Sequence, residues 1–365
     1  MSSRVFNFSA GPAVLPVKVL KQAQEAVLEL PGVGASILEI SHRSPAFDEV
    51  LSDATSMVSE LLGVPSGYTI LFLQGGSSLQ FSMVPMNLLR DSGKTADYLL
   101  TGSWGKKALT EAKRQGETNV VWDGKSENYS RIPAADEFTW SKDAAYAHIT
   151  SNETIQGIEF ATDPDSGSVP LVCDASSDFL SRPVDVGRYG LIYACAQKNA
   201  GIAGCTVVII RDDLLERVPQ NLPSMLDYRL QASGGSRYNT PPVFGVYVMM
   251  LVGRWLRDDV GGLEAMAKLN REKAKLLYDV LDANPDFYRG HAHPASRSVM
   301  NVTWRLPSEE LEAEFVKAAK ARKLTDLKGH RSVGGIRASI YNAMPREGVE
   351  ALRDLMLEFQ KQHGG

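Results

Sequence analysis

The sequence predicts an α/β protein, with a mixed, mostly parallel sheet covered by helices and a small C-terminal α/β unit behind it. Three observations carry that prediction. Helical and strand patterns alternate over most of the 365 residues. The strand candidates are short, continuous apolar runs, the pattern of strands buried on both faces. No internal repeat, low-complexity tract or charge block interrupts them. The chain is long enough for two domains.

In chain order, strands are expected at residues 68–73, 97–100, 145–149, 171–173, 191–194 and 206–210, each bounded by glycine or polar residues. The last two are separated only by residues 197–205, too short for a helical crossover, so this pair is expected to be antiparallel. A helix is expected after Ser44-Pro45 and another after Gly75-Gly76-Ser77-Ser78, with Pro85 keeping the second from running straight. The apolar segment 243–256 is a third. Asp258-Asp259-Val260-Gly261-Gly262 then breaks the chain before an amphipathic helix with Leu263, Met266, Leu269, Leu276, Leu277 and Val280 on one face, and a new unit begins near residue 259. It continues as a strand at 299–304, a helix at 308–321, a strand at 335–340 and a final helix after Pro345.

A formal net charge of −4, with 22% charged residues, gives no electrostatic case for nucleic acid or an anionic membrane, so any anion site must be a local basic cluster. Cys173, Cys195 and Cys205 lie in apolar runs without metal-ligand spacing; buried thiols, no metal and a cytoplasmic location are expected. Met1-Ser2-Ser3-Arg4-Val5-Phe6 has no apolar signal core, and the hydrophobic stretch 243–253 is stopped by Arg254 short of a membrane span.

The chemistry is sought at two strand exits. Lys198 follows the apolar run 190–197, twenty-four residues after Asp174, which ends the run 169–173. An amine and a carboxylate carried into one cleft are what pyridoxal phosphate needs: a Schiff-base lysine and an anion opposite the pyridine nitrogen. Either residue alone is equally a charge marking a strand end. The run 68–73 leads into Gln74-Gly75-Gly76-Ser77-Ser78, where a glycine turn and a helix start can cradle a phosphate, although the same residues also make an ordinary loop. Gly124-Lys125-Ser126 imitates the end of a P-loop but has Asn119 where the first glycine belongs, and Gly32-Val33-Gly34 is half a dinucleotide fingerprint with no strand before it.

Two basic clusters suit an anionic substrate: Ser41-His42-Arg43, and Lys328-Gly329-His330-Arg331 with Arg337. Read in isolation, each is a surface salt-bridge patch. Trp104, in a small-residue turn after a strand, is either a core plug or a stacking face. Asn239-Thr240-Pro241-Pro242 is a rigid polar corner that a helix-leading turn explains on its own.

Together these segments, with Phe6-Asn7-Phe8-Ser9-Ala10-Gly11-Pro12, Ala196-Gln197-Lys198-Asn199 and Ala338-Ser339-Ile340-Tyr341-Asn342, resemble the phosphoserine aminotransferase family, in the class V branch of fold type I pyridoxal-phosphate enzymes. The resemblance spans nearly the whole chain. It implies a large cofactor domain over 16–258 and a small domain of 1–15 with 259–365. It implies that Lys198 carries pyridoxal 5'-phosphate, Asp174 contacts the pyridine nitrogen, Trp104 stacks on the ring and Thr154 contacts the ring hydroxyl. Gly76, Ser77, Ser78 and Gln197 would hold the phosphate, with Asn239 and Thr240 reaching in from the partner of a homodimer. Arg337 would take the substrate carboxylate, and His42, Arg43, His330 and Arg331 the distal phosphate or γ-carboxylate, the last two from across the dimer interface. Ser77-Ser78 stands where some members carry Gly-Arg. The implied reaction moves the amino group of L-glutamate to 3-phosphohydroxypyruvate, giving O-phosphoserine and 2-oxoglutarate by a ping-pong mechanism. The balance between this reaction and a side role with the four-carbon phosphohydroxy substrate of vitamin B6 synthesis is left open.

Among alternatives, a serine–pyruvate or alanine–glyoxylate aminotransferase would not need two His-Arg pairs, and a cysteine desulfurase needs a mobile nucleophilic cysteine that three strand-bound thiols do not offer. A non-catalytic scaffold would have no use for Lys198 paired with Asp174.

Overall fold

The computed structural model describes residues 4–364. A seven-stranded sheet forms its centre: β1 Tyr68–Leu73, β2 Ala96–Leu100, β3 Thr118–Asp123, β4 Tyr146–Thr150, β5 Leu171–Asp174, β6 Leu191–Cys195 and β7 Thr206–Arg211, in spatial order β1-β7-β6-β5-β4-β2-β3. Only β7 runs against its neighbours, pairing antiparallel with β1 and β6. The six strands expected from apolar runs are present to within one residue. The seventh, β3, lies at the sheet edge with most of its side chains partly or fully exposed, so its sequence shows no continuous apolar run.

Alternation along each strand feeds two cores. Phe72, Leu99, Leu171, Ile192 and Val207 pack on the face covered by helices α1 Val17–Leu28, α2 Pro45–Leu62 and α5 Val243–Arg254. Leu71, Tyr98, Val172, Tyr193 and Val208 pack on the other, against α3 Gly76–Leu88 and α4 Ser103–Ala112. α2 starts as the Ser44-Pro45 pair predicts, with the Ser44 side chain accepting from the Phe47 amide. α5 ends two residues before the expected 256 and widens into a π-turn over Trp255–Val260 that Gly261 closes in the left-handed region.

The C-terminal unit has helix α6 Leu263–Ala283, strands β8 Arg289–Gly290, β9 Asn301–Arg305 and β10 Ile336–Ser339 in one antiparallel sheet, and helices α7 Glu309–Ala321 and α8 Arg346–His363. Its core includes Leu277, Trp304, Phe315 and Leu352. The amino-terminal chain joins it: Phe6–Asn7 pairs in parallel with Leu324–Thr325, and Phe8 is buried among these residues.

The junction between the two parts is polar. Fully buried Lys273 on α6 directs its ammonium at the carbonyl oxygens of Ile340, Tyr341, Asn342 and Met344, at 2.8–3.3 Å. Asn342, at the centre of that turn, accepts from the Asn270 side-chain amide at 2.9 Å. Its backbone N–H donates to Asn199 Oδ1 at 3.0 Å, one residue past Lys198. Lys273 thus fixes the chain that follows Arg337 against the chain that follows Lys198. Lys273→Met keeps the length of the side chain and removes every donor, so a destabilisation of roughly 3 kcal/mol is expected in the urea midpoint; a loss near zero would mean that the carbonyls have other partners.

Candidate active site

The parallel strands discharge their loops at one edge of the sheet, where turns and helix starts meet in a cavity of about 470 Å³. Open parallel sheets bind ligands at this end. β1 contributes the Gly75-Gly76 turn, with φ of 87° and 65°, and then Ser77 at the start of α3. A Cβ at Gly75 would stand 2.5 Å from the Leu79 side chain, and one at Gly76 would meet nothing within 4 Å, so that turn stays open to the cavity. Ser77 Oγ lies 2.5 Å from Ser176 Oγ, which in turn donates to Asp174.

Asp174 ends β5, buried, with its Oδ1 also receiving the Ser176 amide at 3.0 Å. Burial pushes its carboxyl upward, while the two Ser176 donors and the Lys198 ammonium pull it down; the balance stays above the ordinary value. Lys198 follows β6, and its Nζ donates to Thr154 Oγ1 at 2.7 Å. Burial alone would lower its pKa, but Tyr341, Cys195, Asp174 and Glu153 together leave it raised. Trp104 opens α4 and turns its ring to the cavity, with the centroid 5.6 Å from Lys198 Nζ.

From the C-terminal unit come Arg337 on β10 and His330. The Arg337 guanidinium is largely buried and has no hydrogen-bond or ion-pair partner among the described residues. Burial pulls it below its ordinary value, a cost that an anionic ligand would relieve. His330 is lowered by burial and then by Arg337, Arg331 and Lys107, so the mouth of the cavity is positive.

Gly76, Ser77, Ser78, Trp104, Thr154, Asp174, Gln197, Lys198, His330 and Arg337 therefore share one cavity. His42, Arg43, Arg331, Asn239 and Thr240 do not line it. His330, expected from across a dimer interface, lines the cavity of its own chain because the loop before β10 folds back, bridged from Lys328 to Ile336. Sequence reasoning assigned no role to Ser176, Thr150, Asn152 or Glu153. For Ser176 a signal existed, a hydroxyl two residues after a strand-end aspartate, the spacing of a local side-chain turn.

The donor set suits pyridoxal phosphate. It offers an amine for an aldehyde, a carboxylate for a pyridinium N–H, an indole face, and a glycine turn at a helix start for a phosphate. Three buried polar atoms of the lining, Trp104 Nε1, Thr150 Oγ1 and Asn152 Oδ1, have no hydrogen-bond partner among the described residues.

The family model described as aminotransferase class V matches residues 5–352. The chain is 56% identical over 361 residues to the phosphoserine aminotransferase of Rhodopirellula baltica, covering 99% of this chain and 96% of that one. The phosphoserine aminotransferase from Bacillus circulans subsp. alkalophilus superposes with a TM-score of 0.97 at 50% identity over 100% of both chains. A pyridoxal-phosphate-bound phosphoserine aminotransferase from Trichomonas vaginalis gives 0.92 at 44% identity, over 97% of this chain and 100% of that one.

Proposed function

The chain belongs to the class V aminotransferase family, and from that premise we propose that it transfers the amino group of L-glutamate to 3-phosphohydroxypyruvate, forming O-phospho-L-serine and 2-oxoglutarate with pyridoxal phosphate as cofactor. The observation that carries this reading is the meeting of Lys198, Asp174 and the partnerless Arg337 on one cavity with a positive mouth.

When bound, pyridoxal phosphate supplies a carbon that amines can join reversibly and an electron sink for the charge left when a Cα–H bond breaks. Lys198 anchors it, with Thr154 holding the amine in place. With its amine free, Lys198 would be the base that takes the Cα proton of a bound amino acid. Asp174 keeps a proton on the ring nitrogen by direct charge pairing, and Ser176 keeps Asp174 aimed. Gly76, Ser77, Ser78 and Gln197, which line the cavity, would hold the phosphate, and Trp104 would cover the ring.

Arg337 orients the α-carboxylate of both substrates in turn. His330 faces the distal group, which is a carboxylate in glutamate and a phosphate in the acceptor; cationic donors accept either, where an apolar pocket would strand the charge. We assign His42, Arg43 and Arg331 to the distal group of the substrate, and Asn239 and Thr240 to the cofactor phosphate, all from the partner in a homodimer, a reading supported by their standing outside the cavity of their own chain. The division into 16–258 and 1–15 with 259–365 is supported by the strand Phe6–Asn7, which pairs with Leu324–Thr325. A cytoplasmic setting is supported by three free, buried cysteines. Burial pushes the Cys205 thiol up to about 12 and Cys173 upward too, against the needs of a desulfurase.

The reading is tested with a panel of acceptors after glutamate. The phosphorylated keto acid should exceed pyruvate and glyoxylate in kcat/KM by about 10³-fold or more; equal rates with the acids lacking a distal charge would overturn the substrate assignment. Arg337→Lys should raise KM for glutamate about 10- to 100-fold with a smaller change in kcat, because a single ammonium cannot reproduce the bidentate fork.

A further inference from the structure

Glu153 is fully buried beside the cavity. It lies on a short hairpin after β4, where Asn152–Glu153 pairs with Ile158–Glu159. Its Oε2 accepts the Trp104 backbone N–H at 3.0 Å and its Oε1 the Gly105 backbone N–H at 2.9 Å. These are the second and third amides of α4, whose cap position is Gly102 and which has no side-chain cap of its own. A carboxylate from a distant hairpin therefore does what a local Ser or Asp cap would do.

The fit is close. A Cβ at Gly102 would stand 2.4 Å from the Glu153 carboxyl carbon and 2.7 Å from Gln156 Oε1. Gln156 itself donates to Ser103 Oγ at 2.9 Å, so the hairpin grips the start of α4 at successive residues. The residue after Glu153 is Thr154, whose hydroxyl holds Lys198 Nζ. One dipeptide is thus fastened both to the helix that carries Trp104 and to the lysine, whose Nζ sits 5.6 Å from the Trp104 ring centroid.

We propose that Glu153 is a positioning residue of this site: its carboxylate clamps the first turn of α4, so that the Trp104 ring keeps a fixed separation from Lys198 and stacks on a bound cofactor in one orientation. The proposal rests on the reading of the cavity as a pyridoxal-phosphate site. Two amides at the positive end of a helix need two acceptor oxygens, and an ionised carboxylate supplies both, whereas a carboxamide or a protonated acid supplies one fewer. The titratable groups facing it are Asp174 from the end of β5, Lys198 from the turn after β6 and the Tyr129 hydroxyl. Burial pushes its carboxyl up to about 7, opposed by the two amides, raised by Asp174 and lowered by Lys198. The clamp is complete above that pH and loses an acceptor below it.

The test uses the full-length, cofactor-loaded protein. Visible circular dichroism of the bound cofactor reports how it is held, and kcat/KM for glutamate is followed across about pH 6 to 9. Glu153→Gln should lose at least about half of the dichroic amplitude, lower kcat/KM about tenfold, and remove an acidic limb centred near pH 7. Gly102→Ala keeps the charge but displaces the carboxylate, and should reproduce the dichroic loss; it decides the matter alone if Glu153→Gln does not fold. Wild-type dichroism and a wild-type pH profile in the variants would overturn the role of Glu153. Absence of any cofactor band in the wild-type protein would instead overturn the reading of the cavity, and the positioning role with it.

Discussion

Lys198→Ala is expected to lower transamination by at least about 10⁴-fold while the fold stays intact. The side chain is only partly buried and makes a single hydrogen bond, to Thr154, so truncation enlarges an existing cavity rather than opening one in a packed core. Its removal takes away the covalent anchor and the base together, and neither Thr154 nor Tyr341 can replace an amine. The glycine turn, Ser77, Asp174 and Trp104 remain, so the variant should still bind the cofactor, now without a covalent bond. Borohydride reduction followed by peptide mass analysis separates the cases: the wild-type peptide containing Lys198 gains the cofactor mass and the variant peptide does not. Retained turnover in Lys198→Ala would remove the mechanism proposed here.

Asp174→Asn is the second large effect, and its signature is a split between catalysis and binding. Asparagine keeps the size of the side chain and an oxygen that accepts from Ser176. It cannot hold a proton on a ring nitrogen by charge pairing, so kcat should fall roughly 10²- to 10⁴-fold while cofactor affinity changes about tenfold or less. The same substitution should stabilise the cofactor-free protein. Burial raises the Asp174 carboxyl in the folded chain, so the stability it contributes is present below its unfolded pKa and is lost as pH rises through the folded value. Above that folded value the ionised, buried carboxylate is a cost, and a neutral carboxamide in its place would not carry it. A higher Tm without cofactor together with a lower kcat is the expected pair of results in thermal melts and steady-state assays.

Much of this site was legible because strand ends mark themselves. Asp174 and Lys198 stand out as charges closing apolar runs, and both runs form central strands whose exits meet at one cavity. Gly75-Gly76 was legible for a similar reason, a glycine pair between a strand and a helix start. β3 was not, since an edge strand with exposed Val120 carries no buried run. Glu153 was hidden for another reason. Its partners Trp104 and Gly105 lie 49 and 48 residues away, and a contact made through space leaves no local spacing to read. The position of His330 depends in the same way on how the loop between Lys328 and Ile336 folds back on itself.

The most direct test of the central claim is the visible absorption spectrum of the purified protein, followed through addition of glutamate and then of 3-phosphohydroxypyruvate. The expected result is a cofactor band that bleaches with glutamate and returns with the phosphorylated keto acid, one half-reaction at a time. A band that bleaches but is not restored by that acid would contradict the assigned acceptor. A protein that shows no band after cofactor is added would contradict the assignment of Lys198 and Asp174 to this chemistry.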